Sequence, residues 1–155
     1  MSYRFLSVCS GLGGAELAVE GLDWQCAGVA EIEAFPAAVI ARRYPHLRNF
    51  GDFTKIKAEE VGPVDVLIGG PPCQAFSLAG KGLSLADTRG VLILEFARLA
   101  HDLARLNRGL AVVFENVRGI LVRDDNPFGC FLGLLVGHDR AFPKPQGASW
   151  PAQRR

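Results

Sequence analysis

Cys73 is the residue of this sequence whose surroundings most favour chemistry. It follows an apolar run, residues 64–70, through Pro71 and Pro72. Pro72 fixes its own φ and biases Pro71 towards extended backbone, so the pattern predicts a thiol held with little freedom at the carboxyl end of a strand. A lone cysteine is more often a small buried hydrophobe. The polar Gln74 beside it favours a ligand site instead, where a thiolate is a nucleophile.

Glu115 ends a second apolar run, residues 110–114, in the same way. Open α/β sheets place their ligands at the carboxyl ends of their strands, so Cys73 and Glu115 face one crevice if the two strands are neighbours. A carboxyl group at the edge of an apolar site can donate a proton to a reacting group. Without Cys73, a surface or helix-capping acid would be its commoner role.

Composition limits the classes of protein to which this chain can belong. Its 155 residues are 49% hydrophobic and 21% charged, which fits one domain with a sizeable core. The net charge of +1 gives no overall basic field, so a nucleic-acid partner must be held locally. Four cysteines without metal-ligand spacing indicate reduced thiols and a cytoplasmic protein. The apolar runs fall short of the roughly 20 residues of a membrane span, which excludes a membrane protein.

Strands alternate with helical segments along the chain. This alternation predicts an α/β fold with a Rossmann-like open, mostly parallel sheet and helices on both faces. Five strands in the order 3-2-1-4-5 are expected, at residues 4–9, 25–30, 49–52, 64–70 and 110–114. We expect residues 1–123 to form a cofactor-binding and catalytic subdomain. Residues 124–155, with a short helix and a proline- and glycine-rich run, are predicted to form an irregular connector.

A glycine turn, residues 10–14 (SGLGG), joins the first strand to a helix. Glycines let the backbone approach a ligand closely, although a plain structural turn is equally compatible with this short motif. A dinucleotide fingerprint would place its third glycine where Glu16 stands, which weakens an NAD site. Glu31 lies twenty residues after Gly11, the distance at which a carboxylate meets a ribose. Its alternative role is a solvated acid in the first turn of the next helix.

Two further segments carry expectations. Asp52 is placed either to cap a helix, the commoner use of such a residue, or to accept from an adenine amino group. Residues 75–90 form a long glycine-rich run, which predicts a loop that closes over a ligand or contacts phosphates. The helix after it carries Leu92, Phe96, Leu99 and Leu103 at core spacing.

Five ordered motifs between residues 5 and 117 resemble those of the cytosine-C5 DNA methyltransferases. The glycine turn is similar to that family's turn for S-adenosylmethionine, Glu31 to its ribose-binding acid, and residues 51–53 to its adenine contact. Residues 70–77 (GPPCQAFS) resemble its nucleophile loop, and residues 114–117 (FENV) its Glu-Asn-Val motif. Residues 126–132 further resemble a branch of bacterial and phage members.

The resemblance implies methyl transfer from S-adenosylmethionine to C5 of cytosine in DNA. Cys73 would add to the ring as nucleophile, with Glu115 as the acid, and no metal is implied. Residues Gln74, Ser77 and Arg89 would lie near the DNA. The implied cofactor-binding residues are Ser10, Gly11, Leu12, Gly13, Gly14, Glu31, Ile32, Asp52, Phe53, Gly70, Pro72 and Leu92.

Two departures from the family pattern bear on activity. Cys9 stands where members usually have an aromatic residue near the adenine, which predicts lower cofactor affinity. The family also continues with a target-recognition region and a C-terminal helix, almost none of which is present, so we expect an impaired, truncated enzyme. Its expected partners are duplex DNA with a flipped cytosine and a complementing C-terminal half.

Three alternatives stay open from the sequence alone. The chain could be a non-catalytic S-adenosylmethionine-binding remnant or half of a split methyltransferase, as the missing C-terminal half favours. A nucleotide-dependent oxidoreductase is disfavoured by Glu16 and by the Pro-Pro-Cys loop. A tRNA-methylating relative would use the same chemistry.

Overall fold

The computed structural model describes residues 2–72, 90–122, 124, 126–138, 140–145 and 150. The predicted nucleophile, Cys73, lies outside this part of the chain. So do the three predicted DNA-contacting residues, Gln74, Ser77 and Arg89. The predicted closing loop, apart from Gly90, also lies outside it.

The described residues form one four-stranded sheet in which every pairing of neighbouring strands is parallel. The strand order is β2-β1-β3-β4, which confirms the predicted Rossmann-like α/β class. The predicted strands that end at Gly70 and Glu115 are indeed neighbours, β3 and β4. The strands are β1 (Tyr3–Val8), β2 (Trp24–Ala30), β3 (Val66–Gly69) and β4 (Ala111–Phe114).

The connections between strands carry most of the helices, as the alternating pattern predicts. The short helices α3 and α5 were not expected from the sequence, whereas a 3-10 turn, Phe53–Lys55, stands where Asp52 was predicted to cap a helix. The described helices are α1 (Gly14–Ala18), α2 (Ala34–Arg43), α3 (Ala58–Val61), α4 (Gly90–Leu106), α5 (Gly119–Val122) and α6 (Pro127–Leu135).

The prediction of a third strand at residues 49–52 is wrong. In its place, a single parallel bridge joins Asn49 to Val29 of β2. The backbone makes two bonds there, from Val29 N to Arg48 O and from Phe50 N to Val29 O. The Asn49 side chain then accepts from Gly51 N at 2.9 Å, and Gly51 has a φ of 71°. A left-handed residue ends the extended run at once, so no strand follows. The bridge still lies beside β2, where the predicted order places it.

The core of the sheet is built from the central strands β1 and β3. Leu6 and Leu67 are fully buried, as are Leu99 and Leu103 in the second half of α4. Their four-residue spacing puts both α4 residues on one helix face, which confirms the predicted core stripe there. Each buried leucine contributes about 1.5–3 kcal/mol through apolar burial.

The chain divides into two compact units, of which the first contains the sheet. This unit consists of Met1–Pro71 and Leu99–Glu115. The second consists of Pro72–Arg98 and Asn116–Arg155. The predicted boundary between residues 123 and 124 stays a prediction.

Within the second unit, α6 begins at Asn126, whose side chain accepts from Gly129 N at 3.2 Å. Its side-chain amide donates to Phe142 O at 2.7 Å, so one residue caps the helix and fastens the segment that follows. The rings of Phe96 and Phe131 lie 6.2 Å apart and are buried. A short helix near residue 128 was expected, and the structure confirms it.

Candidate functional site

The ends of the four strands are aligned, so the residues that follow them lie along one edge of the sheet. Val8 pairs with Ala30 and with Gly69, and Gly69 pairs with Phe114. The next residues along each strand are Cys9, Glu31, Gly70 and Glu115, which we call the carboxyl edge. Ligands of open parallel sheets bind at this edge. The edge lies in the first unit and gathers predicted cofactor and catalytic residues.

The glycine turn opens at this edge. Gly11 and Gly13 have φ values of 54° and 87°, in the left-handed region that favours glycine. The turn is closed by a hydrogen bond from Gly13 N to Ser10 O at 3.0 Å, and the Ser10 hydroxyl donates to Ser7 O at 3.1 Å. A Cβ placed on Gly11 or Gly14 would meet no atom within 4 Å. The backbone of the turn is therefore open to a ligand.

Glu31 joins the glycine turn to the end of β2. Its Oε2 accepts from Gly11 N and its Oε1 from Glu33 N, both at 2.8 Å, and the residue is 9% exposed. A carboxylate has about four lone-pair sites, so two remain for hydroxyl donors. The alternative of a solvated first-turn acid does not hold for Glu31, because it is buried and lies before α2, whereas Glu33 is exposed at the N-cap of α2 and makes no side-chain cap bond.

Asn49 holds Glu31 in place and was not identified from the sequence. The Asn49 amide oxygen accepts from Glu31 N, and its amide nitrogen donates to Glu31 O, each at 3.0 Å. This pair of bonds fixes the backbone of Glu31 as a neighbouring strand would. The useful signal in the sequence was an amide residue two positions before a glycine, which is also a plain turn signal.

Asp52 caps the 3-10 turn, as the commoner of its two predicted roles requires. Its Oδ1 accepts from the Thr54 hydroxyl at 2.8 Å and from Thr54 N at 3.1 Å, and its Oδ2 lies 3.2 Å from Lys55 Nζ. The Thr54 hydroxyl, and then the backbone and Lys55 contacts, lower the pKa of Asp52. Phe53 is 6% exposed, so its ring belongs to the core. The adenine contact of both residues stays a prediction.

Exposed apolar side chains stand beside the carboxyl edge in sequence. Leu12 is 58% exposed and Ile32 is 70% exposed, and both are predicted cofactor residues. Phe35, in the first turn of α2, is 73% exposed and was not singled out from the sequence. Large apolar side chains left in water on a ligand-binding edge are typical of a site that contacts a ring.

Glu115 packs against the backbone of Gly70. A Cβ on Gly70 would lie 2.6 Å from Glu115 Oε2 and 3.2 Å from Glu115 O. The strands hold this arrangement through a bond from Glu115 N to Gly69 O at 3.0 Å. Only glycine fits at position 70 while the carboxylate keeps this position. Glu115 itself is exposed and thus accessible to a substrate.

The pKa of the Cys9 thiol reflects the negative charges near the carboxyl edge. The φ of Cys9 is 53°, which is unusual for a residue with a side chain. Burial, and to a lesser extent the charges of Glu31 and Asp52, raise the pKa of its thiol to about 11. Cys9 therefore stays a neutral thiol and is not a nucleophile. The edge carries negative potential around the predicted cofactor residues.

The remaining predicted cofactor residues, Pro72 and Leu92, belong to the second unit. Pro72 is exposed and Leu92 is partly buried. Within the described ranges, no group of three or more His, Cys, Asp or Glu residues could hold a metal ion. Across the same ranges, no helix has the length and apolar character that crossing a membrane requires.

The chain matches the family model of the C-5 cytosine-specific DNA methylases over residues 3–132. Among curated proteins, it is 46% identical over 145 residues to the DNA N-6-adenine-methyltransferase of Escherichia phage P1, covering 88% of this chain and 19% of the relative. It is 35% identical over 122 residues to the type II methyltransferase M.HgiCII of Herpetosiphon aurantiacus. This match covers 77% of this chain and 26% of that relative.

The fold has solved relatives as well. A DNA modification methyltransferase encoded within an E. coli prophage superposes with a TM-score of 0.68 at 27% identity, covering 87% of this chain and 38% of that structure. The chain thus spans about a fifth to a quarter of the two curated relatives. Since the family model matches most of its length, the chain belongs to the C-5 cytosine-specific DNA methylase family.

Proposed function

We propose that this chain is the part of a cytosine-C5 DNA methyltransferase that binds S-adenosylmethionine and carries the nucleophile, Cys73. The observation that carries the proposal is the carboxyl edge, where the glycine turn, Glu31, Gly70 and Glu115 follow aligned strands. Membership of the family supports the same reading of these residues.

The residues of the carboxyl edge fit S-adenosylmethionine. Glu31 keeps two lone-pair sites that would accept from the ribose hydroxyls, and the backbone of Gly11 is open to a close approach. The negative potential that raises the pKa of Cys9 suits a sulfonium cation. When bound, the cofactor supplies an electrophilic methyl group. Ser10, Leu12, Gly13, Gly14 and Ile32 would complete the pocket on the side of the glycine turn and β2.

Cys73 would make the cytosine reactive. C5 of cytosine is a weak nucleophile, and a bond from the Cys73 sulfur to C6 places electron density on C5. After C5 has taken the methyl group, loss of its proton to a base lets the Cys73–C6 bond break and restores the ring. A free thiol has a pKa of about 8.5, so Cys73 needs local dipoles or cations to become a thiolate.

Glu115 would hold a proton at N3 of the cytosine while Cys73 adds at C6. Charge develops on the ring during the addition, and an acid near N3 offsets it. Its contact with Gly70 supports this role, because the carboxylate is exposed and lies against the segment that leads to Cys73. Removal of the carboxylate should therefore slow addition more than it weakens cofactor binding.

DNA is the proposed substrate, with the target cytosine turned out of the helix. A stacked base is inaccessible to a thiol, and flipping costs a few kcal/mol that contacts to DNA must offset. Gln74, Ser77 and Arg89 are proposed DNA contacts. Because the chain spans a minor part of its relatives, we propose that base recognition requires segments this chain does not match.

A second candidate product is N6-methyladenine, since the phage P1 relative is named for it and is 46% identical. An exocyclic amine can attack a methyl group directly, so this reaction needs no thiol. The chain, complemented in trans with the unmatched segment of a relative, should be incubated with duplex DNA and S-adenosylmethionine, and the nucleosides analysed by mass spectrometry. We expect 5-methylcytosine, lost in Cys73→Ser. N6-methyladenine alone, formed equally by Cys73→Ser, would overturn the proposal.

The 155-residue chain alone should bind S-adenosylhomocysteine weakly and transfer almost no methyl group to duplex DNA. Cofactor binding without transfer after complementation would support a non-catalytic remnant instead. Robust methylation by the chain alone would contradict the dependence on unmatched segments.

A further inference from the structure

Glu16 is a buried carboxyl group with no hydrogen-bond partner among the described residues. The residue is 4% exposed, and neither Oε1 nor Oε2 is bonded within the described part of the chain. Buried polar groups in proteins are nearly always bonded, because desolvation without a partner is costly. Burial accordingly raises the pKa of Glu16. The proposed methyl transfer makes no use of this residue.

Glu16 lines a pocket of about 500 Å³ in the first unit, which is the size of a small-molecule site. The pocket lies beside the start of β2 and the segment after α2, whereas the carboxyl edge lies at the strand ends. Its apolar lining includes Leu22, Trp24, Tyr44 and Leu47. The Trp24 ring is held by Tyr3, at a centroid distance of 5.3 Å.

The charges of the pocket favour a cation. Its lining holds two carboxylates, Glu16 and Glu20, and contains no Lys or Arg within the described residues. Glu20 is already bonded, since it accepts from the Tyr44 hydroxyl at 2.6 Å and lies 3.3 Å from Arg43 Nη2. Among the described residues Glu16 accepts no bond at all, so its full acceptor capacity is unused, and aromatic rings attract cations as well.

The other titratable groups around Glu16 are consistent with this. Cys26, on β2, has a pKa raised to about 11, first by burial and also by the charge of Glu16, while Arg4 lowers it. The pKa of Tyr44 is raised, mainly by its bond to Glu20. The Ser7 hydroxyl on β1 donates to Ser10 Oγ at 3.0 Å rather than to Glu16, and its proximity only opposes the rise of the pKa of Glu16. His46 is the remaining titratable residue of the lining.

We propose that this pocket binds a small organic cation, an ammonium or amidinium on an apolar ring, with its charged nitrogen on the Glu16 carboxylate and its ring against Trp24 and Tyr44. Both Glu16 oxygens are shielded from solvent, so a rotation of the side chain accompanies binding and lets the carboxylate accept a charge-assisted hydrogen bond from the cation. Binding of the cation requires the deprotonated carboxylate, so the affinity rises with pH through the titration of Glu16.

Benzamidine is a suitable probe, and benzamide is its uncharged match. The indole N–H signals of the 15N-labelled 155-residue chain report the site, because the chain has two tryptophans and Trp24 alone lines the pocket. Benzamidine should shift the Trp24 signal and leave the Trp150 signal in place. Benzamide should bind roughly tenfold more weakly or worse.

Glu16→Gln should weaken benzamidine binding roughly tenfold or more, and it should remove the rise of affinity with pH. Glu33→Gln is the matched control, because Glu33 is an exposed carboxylate outside the pocket lining, and it should bind benzamidine as the wild type does. Retained dispersion of the amide spectrum shows that either variant is folded. Equal binding of benzamide and benzamidine, unchanged binding in Glu16→Gln, or a shift of Trp150 alone would each overturn the proposal.

Discussion

The backbone N–H of Gly11 donates to the carboxylate of Glu31 at 2.8 Å, across twenty residues of sequence. This bond joins the turn after β1 to the end of β2, so the two parts of the predicted cofactor pocket hold each other in position. The same carboxylate accepts from Glu33 N, which fixes its orientation. Cofactor binding and the stability of this edge should therefore depend on one side chain.

Glu31→Gln should weaken both properties. The substitution replaces one acceptor oxygen with an NH₂ group that faces a backbone N–H, so a bond to a charged group, worth about 1.5–3 kcal/mol, is lost. We expect the free energy of unfolding to fall by about that amount and S-adenosylhomocysteine affinity to fall about tenfold or more. Denaturant unfolding and calorimetry measure the two effects.

Glu33→Gln is the control, because Glu33 is exposed and makes no side-chain cap bond. Its unfolding and cofactor affinity should match those of the wild type. Unchanged cofactor binding in a Glu31→Ala, Asp52→Ala double variant would show that the cofactor pocket lies elsewhere.

Gly70→Ala should displace the Glu115 carboxylate. The new methyl group would lie 2.6 Å from Glu115 Oε2 and 3.2 Å from the backbone oxygen of Glu115, so the carboxylate must rotate away and the backbone must give by a few tenths of an ångström. We expect a loss of about 1–3 kcal/mol in the free energy of unfolding, measured in denaturant. Gly119→Ala is the control, since its methyl group would meet the nearest atom at an ordinary 3.9 Å. Equal stabilities of the two variants would contradict the close contact.

Asp52→Ala should destabilise the chain by about 1 kcal/mol at neutral pH, because it removes the cap of the 3-10 turn. Solvent screens the ion pair with Lys55, since the Asp52 side chain is 37% exposed. The Thr54 hydroxyl lowers the folded pKa of Asp52 below its ordinary value of 3.8. Its contribution is therefore present above that value and lost as pH falls through the folded pKa. Unfolding curves from pH 2 to 7 should converge at the acid end; a difference independent of pH would be contrary to this account.

Glu16→Gln should stabilise the chain at neutral pH. Burial raises the folded pKa of Glu16 above its ordinary value of 4.5, so the folded state favours the protonated form. That contribution is fully present below the unfolded pKa and is lost as pH rises through the folded pKa. We expect the variant to gain roughly 1–3 kcal/mol over the wild type at neutral pH and little near pH 4. Thermal unfolding at several pH values measures this, and a variant less stable at neutral pH would contradict it.

The sequence predicts the carboxyl edge well, because parallel strands deliver whatever follows them to the same edge. The sequence predicts Cys73 and Glu115 at one crevice by this rule, and the observed alignment of the residues after the strands follows the same rule: Cys9, Glu31, Gly70 and Glu115. The contact of Gly70 with Glu115 was not predictable, since it depends on the register of β3 and β4. The fold class follows from the alternation of strands and helices along the chain. That alternation stays recognisable even when the register of two strands cannot be predicted.

Sequence patterns do not reveal where a side chain makes the hydrogen bonds that the backbone of a neighbouring strand would otherwise make. Asn49 bonds both the N–H and the C=O of Glu31, and this leaves a single bridge where a third strand was expected. Glu16 was used only to argue against a dinucleotide site. Its neighbours Ser7 and Cys26 come from β1 and β2, so no local pattern reveals its burial.

The central claim is a covalent bond between Cys73 and C6 of the target cytosine. It is tested most directly with duplex DNA that carries 5-fluorocytosine, because fluorine cannot leave C5 as a cation and the adduct cannot eliminate. The chain, complemented in trans with the unmatched segment of a relative, should be incubated with this DNA and S-adenosylmethionine. The protein is then digested with a protease, and its peptides are mapped by mass spectrometry. We predict a nucleotide adduct on the peptide containing Cys73, absent from Cys73→Ser. Methylation of ordinary cytosine without an adduct, or an adduct on another residue, would contradict the account.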